Sequence, residues 1–411
     1  MTPVRGQKSY EAEATMLNAT ILATVVLCGG LLLYPPLAKA KLWRATITPL
    51  ASIIGSGFLV LGPILDVTFG LYAPLVMLSL VSVAYAFGGA IRYNIDRIEV
   101  GAGRPAVVDR MEPLASLVLA FAYVISVAYY LNLFGSFAVS LTTLNDAYNA
   151  RLLTTAIFVL ILIVGWTKGF AALERMEQVS VGLKLAIIAG LLCGLIVHFG
   201  ETVQRDALTF NPANSSGWPA LTLIFGLIVT VQGFETSRYL GDDYDAQTRI
   251  KSMRLAQIIS TAIYMLYILL LAYAFTPGTM KLDETSIIDM MQIVAPILPV
   301  LLVGAALSAQ FSAAVADTSG CGGLIAEVSK NRIPPRLAYA VLVAAGLFLT
   351  WTSNIFEIIS YASRAFAAYY ALQATIAALR AWRCRDMPRL MLFAPLVLLG
   401  LAIAVFGQAV E

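Results

Sequence analysis

Charged residues are scarce in this chain of 411 residues, where Asp, Glu, Lys and Arg make up 12% of the total. A soluble domain has roughly 25%. Hydrophobic residues account for 59% of the chain, so a fold whose main solvent is water is excluded. The formal net charge of +3 comes from short connecting segments and forms no basic patch, so nucleic acid is not an expected partner.

Histidine and paired cysteines are nearly absent as well. His198 is the single histidine, which excludes a zinc-protease pair, a haem ligand pair and a Ser-His hydrolase of the usual kind. The cysteines have no paired spacing, so no disulfide framework, metal site or cofactor is predicted. They are Cys28, Cys193, Cys321 and Cys384. The chain is therefore not expected to be an enzyme.

What the sequence has instead is a series of apolar stretches of about 20 residues, long enough to cross roughly 30 Å of hydrocarbon. Bounded by Pro, Gly and charged residues, they predict an all-α integral membrane protein of about twelve spans. The first stretch is longer than the apolar region of a signal peptide, so we expect it to remain as a membrane helix. The predicted spans are 16–36, 45–66, 71–91, 113–141, 152–167, 178–198, 217–240, 255–276, 288–318, 336–351, 355–379 and 388–408.

Lys and Arg concentrate in every second connection between these spans. Cytoplasmic loops of membrane proteins carry an excess of Lys and Arg, so a correct count places the basic loops on one side. The connections after the odd-numbered spans are basic, whereas the others hold only Arg151, Arg205 and Lys281. This alternation predicts a multi-pass protein of the cell membrane with both termini outside the cytoplasm.

Two spans contain small or polar residues where an uninterrupted apolar helix is expected. A break in a membrane helix exposes backbone groups and helix ends, which bind polar solutes at the bilayer midplane. Small residues at this spacing also favour tight helix packing, and that alternative stays open for the first break. The predicted substrate-binding residues are Ile54, Gly55, Ser56 and Gly57 in the second span and Thr230, Gln232, Gly233, Phe234 and Glu235 in the seventh.

Charged residues inside spans are the second signal, since each costs roughly 2.5 to 3.5 kcal/mol at a helix centre. Lys184, Glu235, Asp317 and Arg364 are of this kind. They form either structural ion pairs or a coupling site in which a desolvated lysine exchanges its proton. Asp317, Thr318 and Ser319 face that lysine or bind a hard cation through oxygen. The predicted coupling residues are Lys184, Asp317, Thr318 and Ser319.

These motifs resemble those of the amino acid-polyamine-organocation (APC) permeases, and the resemblance covers nearly the whole chain after the first span. Gly55-Ser56-Gly57-Phe58 is similar to the glycine-rich break in the first core helix of that family, and Gly233-Phe234-Glu235 to the break in its sixth. The resemblance implies a core of two inverted five-helix repeats, like that of sodium-coupled amino acid transporters, with discontinuous first and sixth core helices. The implied parts are a peripheral N-terminal segment at 1–42, repeats at 43–200 and 201–382, and a peripheral C-terminal helix at 383–411.

The resemblance also implies two residue roles. Lys184 matches a lysine on the fifth core helix that occupies the place of a sodium ion in proton-coupled members. Glu235 matches an acidic residue linked to substrate and proton sensing in arginine-exchanging relatives. We therefore predict a proton-coupled secondary transporter for an amino acid or related small organic solute, working by alternating access. Alkali-cation uptake or sodium symport, and a non-transporting sensor, are the alternatives, and no oligomeric state follows from the sequence.

Overall fold

The computed structural model of the chain describes residues 5–55, 57–99, 106–167, 177–241, 244–275 and 283–410. Every regular element in these ranges is helical, and short 3-10 segments lie at Gly70–Tyr72, Ile228–Val231 and Phe234–Tyr239. The α-helices are α1 (Arg5–Leu33), α2 (Pro35–Ala38), α3 (Lys41–Ile53), α4 (Gly57–Phe69), α5 (Ala73–Glu99), α6 (Ala106–Val139), α7 (Ala147–Thr167), α8 (Glu177–Gln204), α9 (Gly217–Gly226), α10 (Ala246–Ala272), α11 (Ser286–Val294), α12 (Leu298–Val328), α13 (Pro335–Thr352), α14 (Ile355–Arg383) and α15 (Met387–Phe406).

Nine segments of the described ranges are long and apolar enough to cross a membrane. One of them, Gly57–Arg97, joins α4 to α5 and so covers parts of two predicted spans. The predicted seventh span is interrupted after the ten residues of α9. The predicted eleventh span is α14, a continuous helix that carries Glu357 and Arg364 among its apolar residues. The prediction of an all-α multi-pass membrane protein is confirmed.

The prediction of one continuous span at 288–318 was wrong. The structure divides this stretch into α11 and α12, and Ala295 between them is extended, with φ −160° and ψ 136°. Ala295 precedes Pro296, and the proline ring disfavours the helical conformation for the residue before it. Pro299 lies in the first turn of α12, where its missing N–H leaves no helical hydrogen bond unmade.

When each interrupted helix is counted once, helices that lie five positions apart in the core pack against each other and run in opposite directions. Along α6 and α12, Ala120 pairs with Cys321, and Ser126, further along α6, pairs with the earlier Asp317. The contacts between α7 and α13 have the same antiparallel order, since Thr155 meets Trp351 and the later Phe158 meets the earlier Gly346. This is the arrangement of two repeats of inverted topology.

Helices α1 and α15 lie outside this core. Helix α1 packs along α8, where Ile21 and Val25 approach Gly190 and Gly194. Small residues on α8 let the two helix backbones come close, which is how helices associate in lipid. Helix α15 packs along α14 in the same peripheral way.

The segment after α15 folds back onto α9. Gln408 donates its backbone N–H to Thr222 O at 3.0 Å and accepts a hydrogen bond from Thr222 Oγ1 at 2.9 Å. Arg364 donates from Nε to Ala404 O at 2.9 Å, in the last turn of α15. A cation at a helix C-terminus is favourable, so the structure gives Arg364 a structural contact there.

Candidate functional site

The first break lies between α3 and α4. Helix α3 ends at Ile53, and Ile54 has left the helical conformation, with φ −85° and ψ 59°. Gly55 is buried at the break, Ser56 lies outside the described residues, and Gly57 begins α4. The last carbonyl groups of α3 and the first N–H groups of α4 therefore have no partner within their own helices.

The second break follows α9. The 3-10 segment Ile228–Val231 is followed by Gln232, whose backbone is extended. A second 3-10 segment begins at Phe234. Gly233 between them has φ +113°, a left-handed value that costs glycine little and other residues much. Glycine thus permits the backbone conformation at the second break, whereas the first break begins at Ile54.

The two breaks cross in direct contact. A Cβ on Gly57 would lie 2.8 Å from Thr230 Cα, and a Cβ on Gly233 would lie 2.5 Å from Ser52 Cβ. The residue order in these contacts is antiparallel. Ser52 near the end of α3 meets Gly233 at the second break, and Thr230 just before the second break meets Gly57 at the start of α4. The unpaired backbone groups of both breaks consequently face one small volume in the middle of the bundle.

Tyr264 on α10 binds carbonyl groups from both breaks. Its hydroxyl oxygen lies 2.7 Å from Thr230 O and 3.0 Å from Ile53 O. The side chain is fully buried, and its ring packs edge-on against Phe58 at 5.4 Å between centroids. Tyr264 was not predicted as a site residue, because one tyrosine in an apolar helix gives no sequence signal.

Glu235 is a fully buried carboxylate next to the second break. Its Oε2 accepts hydrogen bonds from Gly233 N at 3.0 Å and from the Tyr370 hydroxyl at 2.9 Å. Tyr370 is held in place because its ring stacks between Phe87 and Phe234. Glu235 Oε1 has no hydrogen-bond partner, and no Lys or Arg of the described ranges forms an ion pair with this carboxylate.

Gln232 connects the second break to the first through Tyr130 on α6. Its Nε2 donates to the Tyr130 hydroxyl at 2.9 Å, while its Oε1 is buried without a partner. The Tyr130 ring also lies 3.8 Å from the position that a Cβ on Gly55 would take. Unpartnered buried acceptors are rare in folded proteins, and Gln232 Oε1 and Glu235 Oε1 are two such atoms beside the second break.

Lys184 on α8 contacts the first break from the other side. Its buried Nζ donates to Ala51 O at 2.7 Å. Ala51 is in the last turn of α3. The positive charge there binds an unpaired carbonyl group and interacts favourably with the negative end of the helix dipole. A cavity of about 10 Å³, lined by Gly55, Lys184 and residues of α12, lies beside this contact.

The predicted coupling residues on α12 lie elsewhere. Asp317 is buried and accepts a hydrogen bond from Ser126 Oγ, while Thr318 Oγ1 donates back to Ala314 O at 2.6 Å. Ser319 follows at a half-buried position. Asp317 forms no ion pair with any described Lys or Arg, so it is a second buried carboxylate near the centre of the bundle.

Helix α12 faces Lys184 through a different part of its length. The cavity beside Lys184 is lined by Ala309, eight residues before Asp317, which corresponds to roughly 12 Å along a helix axis. The structure therefore brings Lys184 to the first break and Glu235 to the second, but does not bring Asp317, Thr318 and Ser319 to Lys184.

A polar network lies at the bundle end that carries Lys41, Arg238 and Arg380, termed the basic end below. Glu112 pairs with Arg238 through Oε2 and with Arg380 through Oε1, the latter at 3.4 Å. Arg380 also donates to Asn94 O at 3.1 Å. Because Arg238 belongs to the 3-10 segment after the second break, this network fixes that segment to α5, α6 and α14.

The opposite end holds an open cavity of about 700 Å³. Its walls come from the end of α4, the start of α9, the start of α14 and the segment after α15, and include the polar side chains Asn214, Asn354 and Gln408. Within the described residues, the two ends therefore differ, with ion pairs at the basic end and a cavity at the opposite end.

Comparison with known proteins agrees with this architecture. The sequence profile of a family described as APC superfamily transporter matches residues 35–407 of the chain. A protein of Aquifex aeolicus (strain VF5), described as uncharacterized, is 41% identical over 410 residues, which covers 96% of this chain and 100% of the relative.

Proposed function

Because the chain belongs to the APC superfamily of transporters, we propose that it is a secondary transporter for an amino acid or a related small amine-bearing solute. The observation that carries the proposal is the pair of unpartnered acceptors, Gln232 Oε1 and Glu235 Oε1, buried where the two breaks cross. Leaving a buried acceptor unpaired costs about 1 to 3 kcal/mol. A bound ammonium group removes that cost.

The first break supplies the complementary half of the site. The N–H groups at the start of α4 and the positive end of its dipole attract an anion, which a solute carboxylate provides. Gly57 lets the first break approach Thr230 closely, while Gln232 and Glu235 receive the amine of the solute. A solute with an ammonium and a carboxylate a few bonds apart fits this pair of charges.

Lys184 couples this site to protons in our proposal. Its ammonium holds Ala51 O at the end of α3, and a neutral amine binds that carbonyl more weakly than a charged one does. Loss of the proton on one side of the membrane therefore loosens α3 from α8 and lets the first half of the broken helix move. Alternating access follows as the broken helices rock around the fixed site.

In this scheme the protein lies in the cell membrane and its basic end faces the cytoplasm, because Lys and Arg are retained on that side. Cys384 lies exposed next to the last turn of α14 and reports the orientation. We expect a membrane-impermeant maleimide to leave Cys384 unlabelled in intact cells and to label it after permeabilisation. Labelling of Cys384 in intact cells would contradict the proposed orientation.

Counterflow in proteoliposomes tests the function itself. Vesicles are preloaded with single amino acids or amines, and uptake of the labelled solute is followed for wild type, Glu235→Gln and Glu201→Gln. Glu201 is the matched control, because it is an exposed glutamate in a surface ion pair with Arg205. We expect counterflow for wild type and the control and a strong loss for Glu235→Gln.

The same vesicles distinguish the alternatives. Stimulation by an inward sodium gradient with no response to a pH gradient would favour sodium symport. Solute-induced thermal stabilisation without any counterflow would favour a sensor, because a ligand stabilises the folded state by mass action whether or not it is carried.

A further inference from the structure

We propose that Tyr264 is a positioning residue that holds the two broken helices together while the transport site is closed. The proposal rests on the proposed transport function and adds to it a residue that touches neither the solute groups nor the proton-carrying lysine. It starts from one hydroxyl group placed between two carbonyl groups that belong to different repeats, Ile53 O at 3.0 Å and Thr230 O at 2.7 Å.

One hydroxyl group connects the two breaks because both carbonyl groups bind to it. A tyrosine hydroxyl has one hydrogen to donate, so it serves one carbonyl at a time and shares its hydrogen between the two. Without it, the two buried carbonyl oxygens lose the hydrogen bond that they share, and water cannot replace it inside the bundle.

The position of the hydroxyl is set by packing. Tyr264 is fully buried, its ring lies edge-on against Phe58, and α10 contacts both α3 and the 3-10 segment Phe234–Tyr239. A buried tyrosine hydroxyl needs a polar partner, and among the described residues the Tyr264 hydroxyl donates to Ile53 O and Thr230 O. The ring therefore keeps the hydroxyl at the crossing as long as both breaks stay in place.

Tyr267, one helical turn further along α10, is the matched control. It is also fully buried, and its ring packs closer to Phe58, at 4.3 Å. Its hydroxyl makes one long contact of 3.4 Å to Leu59 O, inside α4 and away from the second break. Removing the Tyr267 hydroxyl changes the same kind of atom in the same layer without cutting a contact between the breaks.

The experiment measures how often the breaks separate, with no solute present. In a chain with Cys28, Cys193 and Cys384 replaced by alanine, Ser52→Cys places a thiol against Gly233, and native Cys321 remains as an internal reference between α12 and α6. Thiol modification rates at both positions are compared for the parent, Tyr264→Phe and Tyr267→Phe in detergent. Modification of a buried thiol follows the equilibrium for local opening.

We expect Tyr264→Phe to raise the modification rate at position 52 about fivefold, the ratio that corresponds to one hydrogen bond of about 1 kcal/mol. Tyr267→Phe should leave this rate unchanged, and Cys321 should keep its rate in both variants. An equal rise in both variants, a parallel rise at Cys321 or no rise at position 52 would overturn the proposal. The thiol assay needs no solute. If the modification rates change as expected but the protein shows no counterflow, the proposed transport function is contradicted and the role of Tyr264 is not.

Discussion

Gly57 and Thr230 touch where the two broken helices cross, and a Cβ on Gly57 would lie 2.8 Å from Thr230 Cα. The nearest atoms of Thr230 are its Cα, Cβ and O, so no change of side-chain rotamer can relieve this contact. Every other feature of the candidate site is arranged around it. Lys184 holds the end of α3 from one side, Tyr264 bridges the carbonyl groups, and Glu235 lies just beyond the second break.

Gly57→Ala should destabilise the fold, because the added methyl group meets the main chain of Thr230 and one helix has to shift. Overpacking of this kind costs about 1 to 3 kcal/mol. Unfolding of the purified protein in detergent measures the effect. The control is Gly304→Ala on α12, where a Cβ meets nothing within 4 Å and alanine is the better helix former. Equal stability of the two variants would contradict the packing described at the crossing.

Lys184→Met should remove the response of uptake to a pH gradient while the aliphatic part of the side chain still fills its space. We expect gradient-driven uptake to fall to the level measured without a gradient, with counterflow of the same solute largely retained. Lys41→Met is the control, since Lys41 is exposed and pairs with Asp245 at the surface. A Lys184→Met variant that kept its full pH response would disprove the coupling role.

The network around Glu112 should contribute more to stability than the surface pair Lys41–Asp245. Removing one partner of a buried ion pair costs roughly 3 to 5 kcal/mol, and Glu112, Arg238 and Arg380 keep only small exposed fractions of 22%, 10% and 8%. Because Glu112 is partly exposed, we expect Glu112→Ala to cost less than a fully buried partner would, about 2 to 3 kcal/mol. Exposed pairs contribute about 0 to 1 kcal/mol.

A double-mutant cycle with Glu112→Ala and Arg380→Ala, followed by thermal or chemical unfolding, gives the coupling free energy of the pair. The equivalent cycle on Lys41 and Asp245 is the reference. A coupling energy at Glu112 no greater than that at the surface pair would contradict a stabilising role of this network.

Asp245 should make a pH-dependent contribution with a defined sign. The Lys41 ammonium donates to its carboxylate at 2.7 Å, and this hydrogen bond, with those from Thr248, holds the pKa of Asp245 well below its usual range. A carboxyl group whose pKa is lower in the folded state stabilises the fold above its unfolded pKa of about 3.9 and loses that contribution as the pH falls towards the folded pKa.

The stability difference between wild type and Asp245→Asn should therefore stay constant from pH 8 to about pH 5 and shrink below about pH 4. Thermal unfolding across this range measures it, at one fixed salt concentration because the pair is exposed and screened by ions. A difference that grew on acidification would show the opposite sign and contradict the assignment.

The breaks were predictable from sequence because each combines glycine with polar or charged residues in the middle of an apolar span. Gly55, Gly57 and Gly233 lie at the observed interruptions, and Lys184 stands out because burying a lysine is costly. The residue pattern thus located one element from each half of the site. Which side chains complete it depends on helix rotation and register, which composition does not encode.

Three features show where sequence reasoning stopped. Tyr264 resembles any aromatic residue of a buried helix, and only its position reveals the contact with both breaks. Asp317 was grouped with Lys184 because both are charged, yet the register of α12 pairs it with Ser126. The interruption between α11 and α12 had a readable signal in Ala295-Pro296, which was missed because the surrounding residues are uniformly apolar.

The contact between Gln408 and Thr222 has a practical consequence for handling the protein. Val410 is buried and lines the cavity at the end opposite the basic end, so a purification tag fused directly behind it would pull on the segment that holds α9. A long flexible spacer, or a tag placed ahead of α1 instead, would leave that anchor undisturbed. Activity lost on tagging at this site would then be recovered when a protease removes the tag.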